Sequence, residues 1–337
     1  MDTIEYPYDR LPETGGSEEI VPGVRWVRMP LPFALDHVNL WLLADGDTWT
    51  VVDTGIAMEA LQESWRKLLP GHPLSRIVVT HCHPDHLGLA AWLSEHSGAP
   101  VWISQGEYTA SQMIRHQIAS YSVPAMLQFF QGHGLDTVRL EALALRGNSY
   151  GKGVPAVPAT YRRLFDGEDI LVGEHVWRTL VGHGHAPEHM SLHCAELGIL
   201  ISGDMLLPRI STNVSAVASV PDADPLRLFL DSLERLKALP ADTLVLPSHG
   251  RPFRGLHARI AELEAHHEAR CAELVAACAE PKTAADLIPV IFQRELADAH
   301  QTMFAMGETI AHLKYLEHAQ RLSCATENGI HRFVVQR

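Results

Sequence analysis

Six consecutive residues, His-Cys-His-Pro-Asp-His at positions 81–86, carry an unusual density of side chains that can bind a metal. Three imidazoles and one carboxylate are good ligands for zinc and similar divalent ions. His81 and His83 are spaced to meet one ion, whereas Asp85 and His86, further round the turn, can meet a second ion close by. This layout is typical of a two-metal hydrolytic centre. A merely solvated polar loop does not account for four ligand-type residues at this spacing.

A structural zinc site fits these residues poorly, because such sites are closed, four-coordinate and rich in cysteine. Cys82 is the only thiol near, and it is flanked by the histidines. A strand-like run at 76–80 precedes the cluster. We therefore expect the cluster on a loop at the end of a strand, where scaffolds usually present chemistry.

Three further polar clusters follow predicted strands and can complete the ligand set. They are Gly-His-Gly-His-Ala-Pro-Glu-His at 182–189, Ser-Gly-Asp at 202–204 and Ser-His-Gly at 248–250. Glycines beside the candidate ligands let the backbone turn tightly and approach a metal.

Taken in order, these motifs resemble those of the metallo-β-lactamase-fold hydrolase superfamily. The matching segments are Val-Val-Asp-Thr-Gly at 51–55, His-x-His-x-Asp-His at 81–86, Gly-His-x-Pro-x-His at 184–189, Ser-Gly-Asp at 202–204 and Pro-x-His-Gly at 247–250. The resemblance extends from about residue 20 to 252. It implies an α/β fold, the αββα four-layer sandwich. A histidine at 185, in place of a cysteine, is similar to the thioesterase, lactonase and phosphodiesterase branches rather than to true zinc β-lactamases.

The resemblance also implies a role for each matched residue. Asp53 and His189 would lie behind the ligands, holding a loop and orienting a ligand. Asp85 or Asp204 would handle a proton for the leaving group. The expected ligands of the first metal are His81, His83 and His185, those of the second are Asp85, His86 and His249, and Asp204 would bridge the two.

Substrate contacts are predicted from position in the sequence alone. Arg209, Ser211 and Asn213 closely follow the bridging aspartate and could bind a carboxylate or phosphate; ordinary loop hydrogen bonding is the alternative. His183 is an extra histidine that either touches substrate or packs within its loop.

Strand and helix patterns alternate over the first hundred residues, as around a buried sheet, and a helix is expected over 87–96. We predict a catalytic domain over 1–254. Within it, residues 105–163 interrupt the alternation of strands and helices and are expected to form a helical insertion. The insertion is either a lid or binding element, or it covers the sheet or forms a subunit contact. Residues 255–337 read as three helices and an Asn-Gly hairpin, which predicts a winged-helix-like domain with Thr283 as a helix N-cap.

Composition narrows the class of protein further. The 337 residues carry a net charge of −13, which disfavours nucleic acid as a partner. Five scattered cysteines argue against a disulfide framework and favour a reducing cytoplasm. The polar N-terminus does not read as a signal peptide, and no apolar run is long enough for a membrane helix.

The sequence therefore predicts a binuclear metal-dependent hydrolase, similar to glyoxalase II or a lactonase. A metal-bridging hydroxide would attack a small ester, thioester or lactone. The expected cofactors are two divalent ions, zinc first, with iron and manganese as alternatives. Competing hypotheses are an endoribonuclease or phosphodiesterase that uses the winged helix, a hydrolytic dehalogenase, and a non-enzymatic regulator. The expected partner is a small-molecule substrate, not a membrane, and a homodimer is left open.

Overall fold

The computed structural model describes residues 3–33 and 35–336. Within that range two mixed sheets form the centre of the fold. The first has seven strands in sequence order, antiparallel from β1 to β4 and parallel from β4 to β7. Its strands are β1 Ser17–Val21, β2 Val24–Pro30, β3 His37–Asp45, β4 Thr48–Val52, β5 Leu74–Val78, β6 Val101–Ser104 and β7 Arg162–Leu164.

The second sheet has five strands in the order β12-β11-β10-β9-β8. Only its β11–β12 pair is parallel; the others are antiparallel. Its strands are β8 Asp169–Val172, β9 His175–Gly182, β10 His189–Cys194, β11 Ile199–Gly203 and β12 Leu244–Pro247.

One hydrophobic core joins the inner faces of the two sheets. Trp26 and Trp41 from the first sheet are buried in the same cluster as Trp177 and Met190 from the second. Strands β11 and β12 are buried along their whole length, although β12 lies at one end of the sheet, as expected of apolar strands covered on both faces. The edge strand β8 instead alternates between exposed and buried residues. The predicted α/β class, with sheets flanked by helices, is confirmed.

Eleven α-helices accompany the sheets over the described range. They are α1 Glu59–Leu68, α2 Pro84–Leu87, α3 Ala90–Ser97, α4 Gln105–Arg115, α5 Val123–Gly132, α6 Thr137–Arg146, α7 Tyr150–Gly153, α8 Pro225–Leu236, α9 Leu256–Ala277, α10 Ala284–Ile291 and α11 Ala299–His318. None of the helices in the described part of the chain is both long and apolar enough to cross a membrane.

One helix boundary differs from the sequence prediction. The single helix expected over 87–96 is two helices, and the first begins at Pro84, inside the histidine-rich motif. Proline is well suited to the first position of a helix, because it has no N–H to leave unpaired and its φ is already helical. Asp85 and His86 therefore lie on a helical turn, and the prediction that the whole cluster forms a loop was wrong.

The chain divides into two compact units. Unit 1 comprises residues 1–115, 150–212 and 232–260 and contains both sheets. Unit 2 comprises residues 116–149, 213–231 and 261–337. Part of the helical insertion thus clusters with the C-terminal helices, while the predicted domain boundary at 254/255 stays a prediction. Unit 2 ends in an antiparallel hairpin of β13 Leu322–Glu327 and β14 Ile330–Val335, as the Asn-Gly signal predicts.

Helix α10 begins with a reciprocal capping box, so the N-cap prediction is confirmed. The Thr283 hydroxyl accepts a hydrogen bond from the backbone N–H of Asp286 at 3.2 Å, and the Asp286 carboxylate accepts from the backbone N–H of Thr283 at 3.0 Å. Together these bonds satisfy two N–H groups that a helix start would otherwise leave unpaired.

We expect Thr283→Ala to lower the free energy of unfolding by about 1 kcal/mol, the usual cost of losing a threonine cap. The measurement is urea denaturation followed by circular dichroism. Thr137→Ala is the matched control, because Thr137 is exposed in the first turn of α6, where Asp136 provides the cap. Equal midpoints for the two variants would contradict the capping role.

Candidate metal centre

Seven of the predicted residues converge at strand ends within unit 1. His81 and His83 follow β5, Asp85 and His86 lie on α2, and His185 lies between β9 and β10. Asp204 directly follows β11, and His249 follows β12 by one residue. Strands β11 and β12 are parallel neighbours, so their carboxyl ends present Asp204 and His249 at the same edge of the second sheet.

The ligand atoms form two groups. In the first, His81 Nε2 lies 2.9 Å from His83 Nδ1 and 3.3 Å from His185 Nε2, and His185 Nε2 lies 3.4 Å from Asp204 Oδ2. All ligand atoms within this group are less than 4.8 Å apart, which is close enough to share one ion.

The second group shares the same aspartate. His249 Nε2 lies 3.3 Å from Asp85 Oδ2, and His86 Nε2 lies 3.5 Å from that oxygen. Asp204 Oδ2 lies 3.6 Å from His86 Nε2, and Asp204 Oδ1 lies 3.5 Å from His249 Nε2. Asp204 therefore stands between the two groups, at the place where a bridging ligand belongs.

The chemistry of these atoms fits a divalent cation. His81, His86 and His249 are almost completely buried, yet their Nε2 atoms point at one another and at carboxylates. His86 Nε2 and Asp204 Oδ1 are buried without a hydrogen-bond partner. Buried polar atoms are nearly always paired, so convergent unpaired nitrogen and oxygen atoms indicate a site for a cation.

The pKa shifts of side chains in the two groups also favour the binding of a cation. Burial, together with the neighbouring imidazoles of His86 and His83, holds the pKa of His81 well below its usual range, so the imidazole is neutral and its lone pair is free to bind a metal. Burial alone would raise the pKa of Asp204, but His249 and His86 hold it well below its usual range. Although burial lowers it, Asp204 and Asp85 raise the pKa of His249 to about 10, which shows how strongly this group attracts positive charge.

Asp53 orients one of the ligands, in the place that the sequence suggested. Its carboxylate accepts hydrogen bonds from the backbone N–H and hydroxyl of Thr80 at 2.8–3.0 Å, and Asp53 Oδ2 lies 2.8 Å from His86 Nδ1. Since Nδ1 is engaged, Nε2 is the nitrogen that faces the centre. Asp53 adopts φ +65°, an uncommon conformation for a residue with a side chain, which marks a tightly constrained turn.

His189 contacts the backbone of the bridging residue. Its Nε2 accepts a hydrogen bond from the backbone N–H of Asp204 at 3.0 Å, and the ring is completely buried. Gly203 makes this approach possible, because a Cβ at that position would lie 2.4 Å from the His189 ring.

The predicted substrate residues have other contacts. The Arg209 guanidinium lies 5.4 Å from the centre of the Tyr6 ring, and Asn213 donates to the Glu308 carboxylate in unit 2. His183 Nδ1 lies 2.7 Å from the carbonyl oxygen of Pro187 in its own loop, as in the packing alternative. Ser211 is half-buried. Substrate binding by these four residues stays a prediction.

Three buried polar residues that the sequence did not single out hold the ligand loops. Thr80 contacts Asp53, and its hydroxyl lies 3.0 Å from His81 Nδ1. Asn39 donates to the carbonyl oxygens of Pro247 and Gly250, both at 2.9 Å. The third is Glu107, whose carboxylate accepts hydrogen bonds from the backbone N–H groups of Cys82 and Glu188. Thr80 directly precedes the 81–86 motif, but no motif surrounds Asn39 or Glu107, and only the fold reveals these two residues.

Another group of metal-ligand types, His175, Cys194 and Glu196, lies elsewhere in unit 1. His175 Nδ1 and Glu196 Oε2 form an ion pair at 2.8 Å, which by itself accounts for their closeness.

Comparison with known proteins agrees with this geometry. The family profile described as the metallo-beta-lactamase superfamily matches residues 34–249. This chain belongs to the metallo-β-lactamase superfamily. A second profile, the metallo-beta-lactamase-like C-terminal domain, matches residues 271–336. The predicted family is therefore confirmed, and the chain is a metallo-hydrolase.

Three proteins that are similar to this superfamily member align with different fractions of its length. The crystal structure of a beta-lactamase domain protein from Burkholderia ambifaria has a TM-score of 0.91 and 46% identity, over 99% of this chain and 98% of that one. The probable metallo-hydrolase YqjP of Bacillus subtilis is 27% identical over 90% of this chain and 95% of its own length. The hydroxyacylglutathione hydrolase of Cereibacter sphaeroides is 28% identical over 61% of this chain and 58% of its own.

We expect Gly203→Ala to reduce metal content sharply, because the added methyl group must displace His189 and with it the backbone of Asp204. Gly46→Ala is the matched control: both glycines have positive φ, at +55° and +65°, but nothing lies within 4 Å of a Cβ at position 46. The control should lose only about 1 kcal/mol of stability, the cost of the left-handed conformation. Elemental analysis and thermal denaturation measure the two effects, and full metal content in Gly203→Ala would refute the argument.

Proposed function

We propose that this chain hydrolyses a small ester, thioester or lactone, with a thioester as the first choice, at a centre of two divalent metal ions. The observation that carries the proposal is the position of Asp204 between two groups of buried ligands. The similarity to a hydroxyacylglutathione hydrolase, although it covers 61% of this chain, supports the choice of a thioester.

The residues present define what each part of the centre would do. His81, His83 and His185 would hold one ion, and Asp85, His86 and His249 the other, with Asp204 shared. When bound, two such ions supply a water of lowered pKa and polarise the substrate carbonyl. Ligands that are only nitrogen and oxygen suit zinc, and they also accept iron or manganese.

Two aspartates are placed to manage protons and charge. The Asp85 side chain is 20% exposed against 10% for Asp204, so Asp85 is the carboxylate more accessible to a substrate. We assign to the Asp85 carboxylate the transfer of a proton towards the leaving group. Asp204, held by His189 and by the Thr212 hydroxyl at its own carbonyl oxygen, fixes the spacing of the two ligand groups.

The paired charges of unit 2 argue against the alternative of a nuclease. Its last three helices and hairpin fit the winged-helix interpretation, and winged helices often bind nucleic acid through basic residues. Here the two cationic residues near the end of α11 are already paired: Lys314 Nζ lies 3.0 Å from Glu317 Oε2, and Arg321 Nη1 lies 3.0 Å from Glu268 Oε1. With a net charge of −13, this disfavours a nucleic-acid substrate.

We expect His81→Ala and Asp204→Ala to lower kcat/KM by at least about 100-fold, because each removes a ligand of an ion that would stabilise charge in the transition state, and loss of such stabilisation has effects on the order of 10²–10³-fold. His175→Ala, which removes a histidine from a surface ion pair, is the control and should keep full activity. Elemental analysis should give about two metal ions per chain before mutation. A metal-free active enzyme would refute the mechanism.

A substrate panel separates the classes of reaction. Acyl-CoA and acyl-glutathione thioesters, p-nitrophenyl esters and lactones represent the proposal, and bis-p-nitrophenyl phosphate, labelled RNA and a haloaromatic represent the alternatives. We expect the highest kcat/KM with a thioester. Preferred turnover of the phosphodiester, or tight and salt-sensitive binding of RNA, would replace this proposal with the nuclease.

A further inference from the structure

One buried carboxylate connects the two loops that carry the first group of ligands. Glu107 lies in the first turn of α4 and is completely buried. Its Oε2 accepts a hydrogen bond from the backbone N–H of Cys82 at 2.9 Å, and its Oε1 accepts from the backbone N–H of Glu188 at 2.6 Å. Cys82 stands between His81 and His83, and Glu188 lies in the loop of His185.

Neighbouring contacts fix the same two loops to the start of α4. The Glu188 side chain accepts from the backbone N–H of Gly106 at 2.8 Å, and its carbonyl oxygen accepts from the Ser104 hydroxyl at 3.1 Å. Gly106 leaves room for this approach, since a Cβ there would lie 2.8 Å from the Glu188 side chain. The Tyr150 hydroxyl donates to the carbonyl oxygen of Cys82 at 2.6 Å. Both loops are therefore hydrogen-bonded to the start of α4.

Stability alone does not explain an acidic residue at position 107. Burying a carboxylate costs free energy, and an apolar side chain that fills the same space is often as stable or more so. What a carboxylate adds is geometry, because its two oxygens accept short hydrogen bonds from two backbone sites at a fixed separation.

We propose that Glu107 is a positioning residue, which sets the distance between the loop of His81 and His83 and the loop of His185 and thereby determines how tightly the first metal group binds its ion. The proposal rests on the two-metal centre of the proposed function. Its consequence is selective, because the two hydrogen bonds that Glu107 accepts join the loops of the first group, whereas Asn39 holds the loop of His249 in the second.

The test is a titration of the metal-free full-length protein with Co²⁺ in competition with a chromophoric chelator, which measures the affinity of each site. In Glu107→Gln the amide presents an N–H₂ group to one of two N–H donors, so one bond is lost. We expect one site to weaken by about 10–100-fold, the usual effect of removing a partner that orients ligands, while the other keeps its affinity. Asn39→Ala should show the reverse, weakening the site that contains His249.

Two further variants separate positioning from general destabilisation. Glu308→Gln is the matched control, because Glu308 is also a buried acid, but in unit 2. It should leave both affinities unchanged, whatever its effect on the thermal midpoint. Tyr150→Phe removes a milder contact to the same loop and should weaken the same site as Glu107→Gln, which keeps the test valid if Glu107→Gln folds poorly.

Two sites of unchanged affinity in both Glu107→Gln and Tyr150→Phe would overturn the proposal and leave Glu107 a purely structural residue. Equal weakening of both sites in Glu107→Gln would also overturn it. Because the titration contains no substrate, failure of the chain to hydrolyse thioesters leaves this result unaffected. Conversely, wild-type protein that binds no Co²⁺ would refute the two-metal centre itself, before Glu107 is tested.

Discussion

The centre depends on the hydrogen bonds of Asp53 at the end of β4. Its carboxylate, 2% exposed, accepts from the backbone and hydroxyl of Thr80 and lies 2.8 Å from His86 Nδ1. A buried charge is tolerated only when it is well paired, and here the partners are Thr80, just before the ligand motif, and His86, its last residue. One interaction therefore joins the end of β4 to the loop after β5 and fixes the tautomer with which His86 faces the candidate metal centre.

Other buried polar side chains restrain the remaining loops of the site in the same way. Asn39 holds the loop of His249, Glu107 contacts the loops of His83 and His185, and His189 supports Asp204. Each is a buried side chain whose polar atoms hydrogen-bond to backbone groups beside a candidate ligand. Metal ligands need fixed positions within a few tenths of an ångström, and loops attain this only when buried polar groups restrain them.

The sequence predicted the candidate ligands together with Asp53 and His189, but not Asn39 and Glu107, which restrain the same loops. Every ligand lies in a short motif directly after a strand, where apolar runs end in glycine and histidine. The bond from Asn39 to Pro247 spans 208 positions, and that from Glu107 to Glu188 spans 81. Strand and helix periodicity reports that such residues are buried but not which loop they meet. The grouping of residues 116–149 with the C-terminal helices was hidden for the same reason: an amphipathic pattern shows that a face is covered, not by what.

The origin of the ligands in both sheets has a consequence for how this protein folds. His81 to His86 come from the first sheet, and His185, Asp204 and His249 come from the second. The site therefore forms only once the two sheets have docked, through contacts that are distant in sequence and slow to assemble. An ion that binds this docked state and not the separate halves shifts the equilibrium towards it. The metal centre would then hold the two sheets together, and the availability of metal in the cell would help to determine how much of the chain is folded.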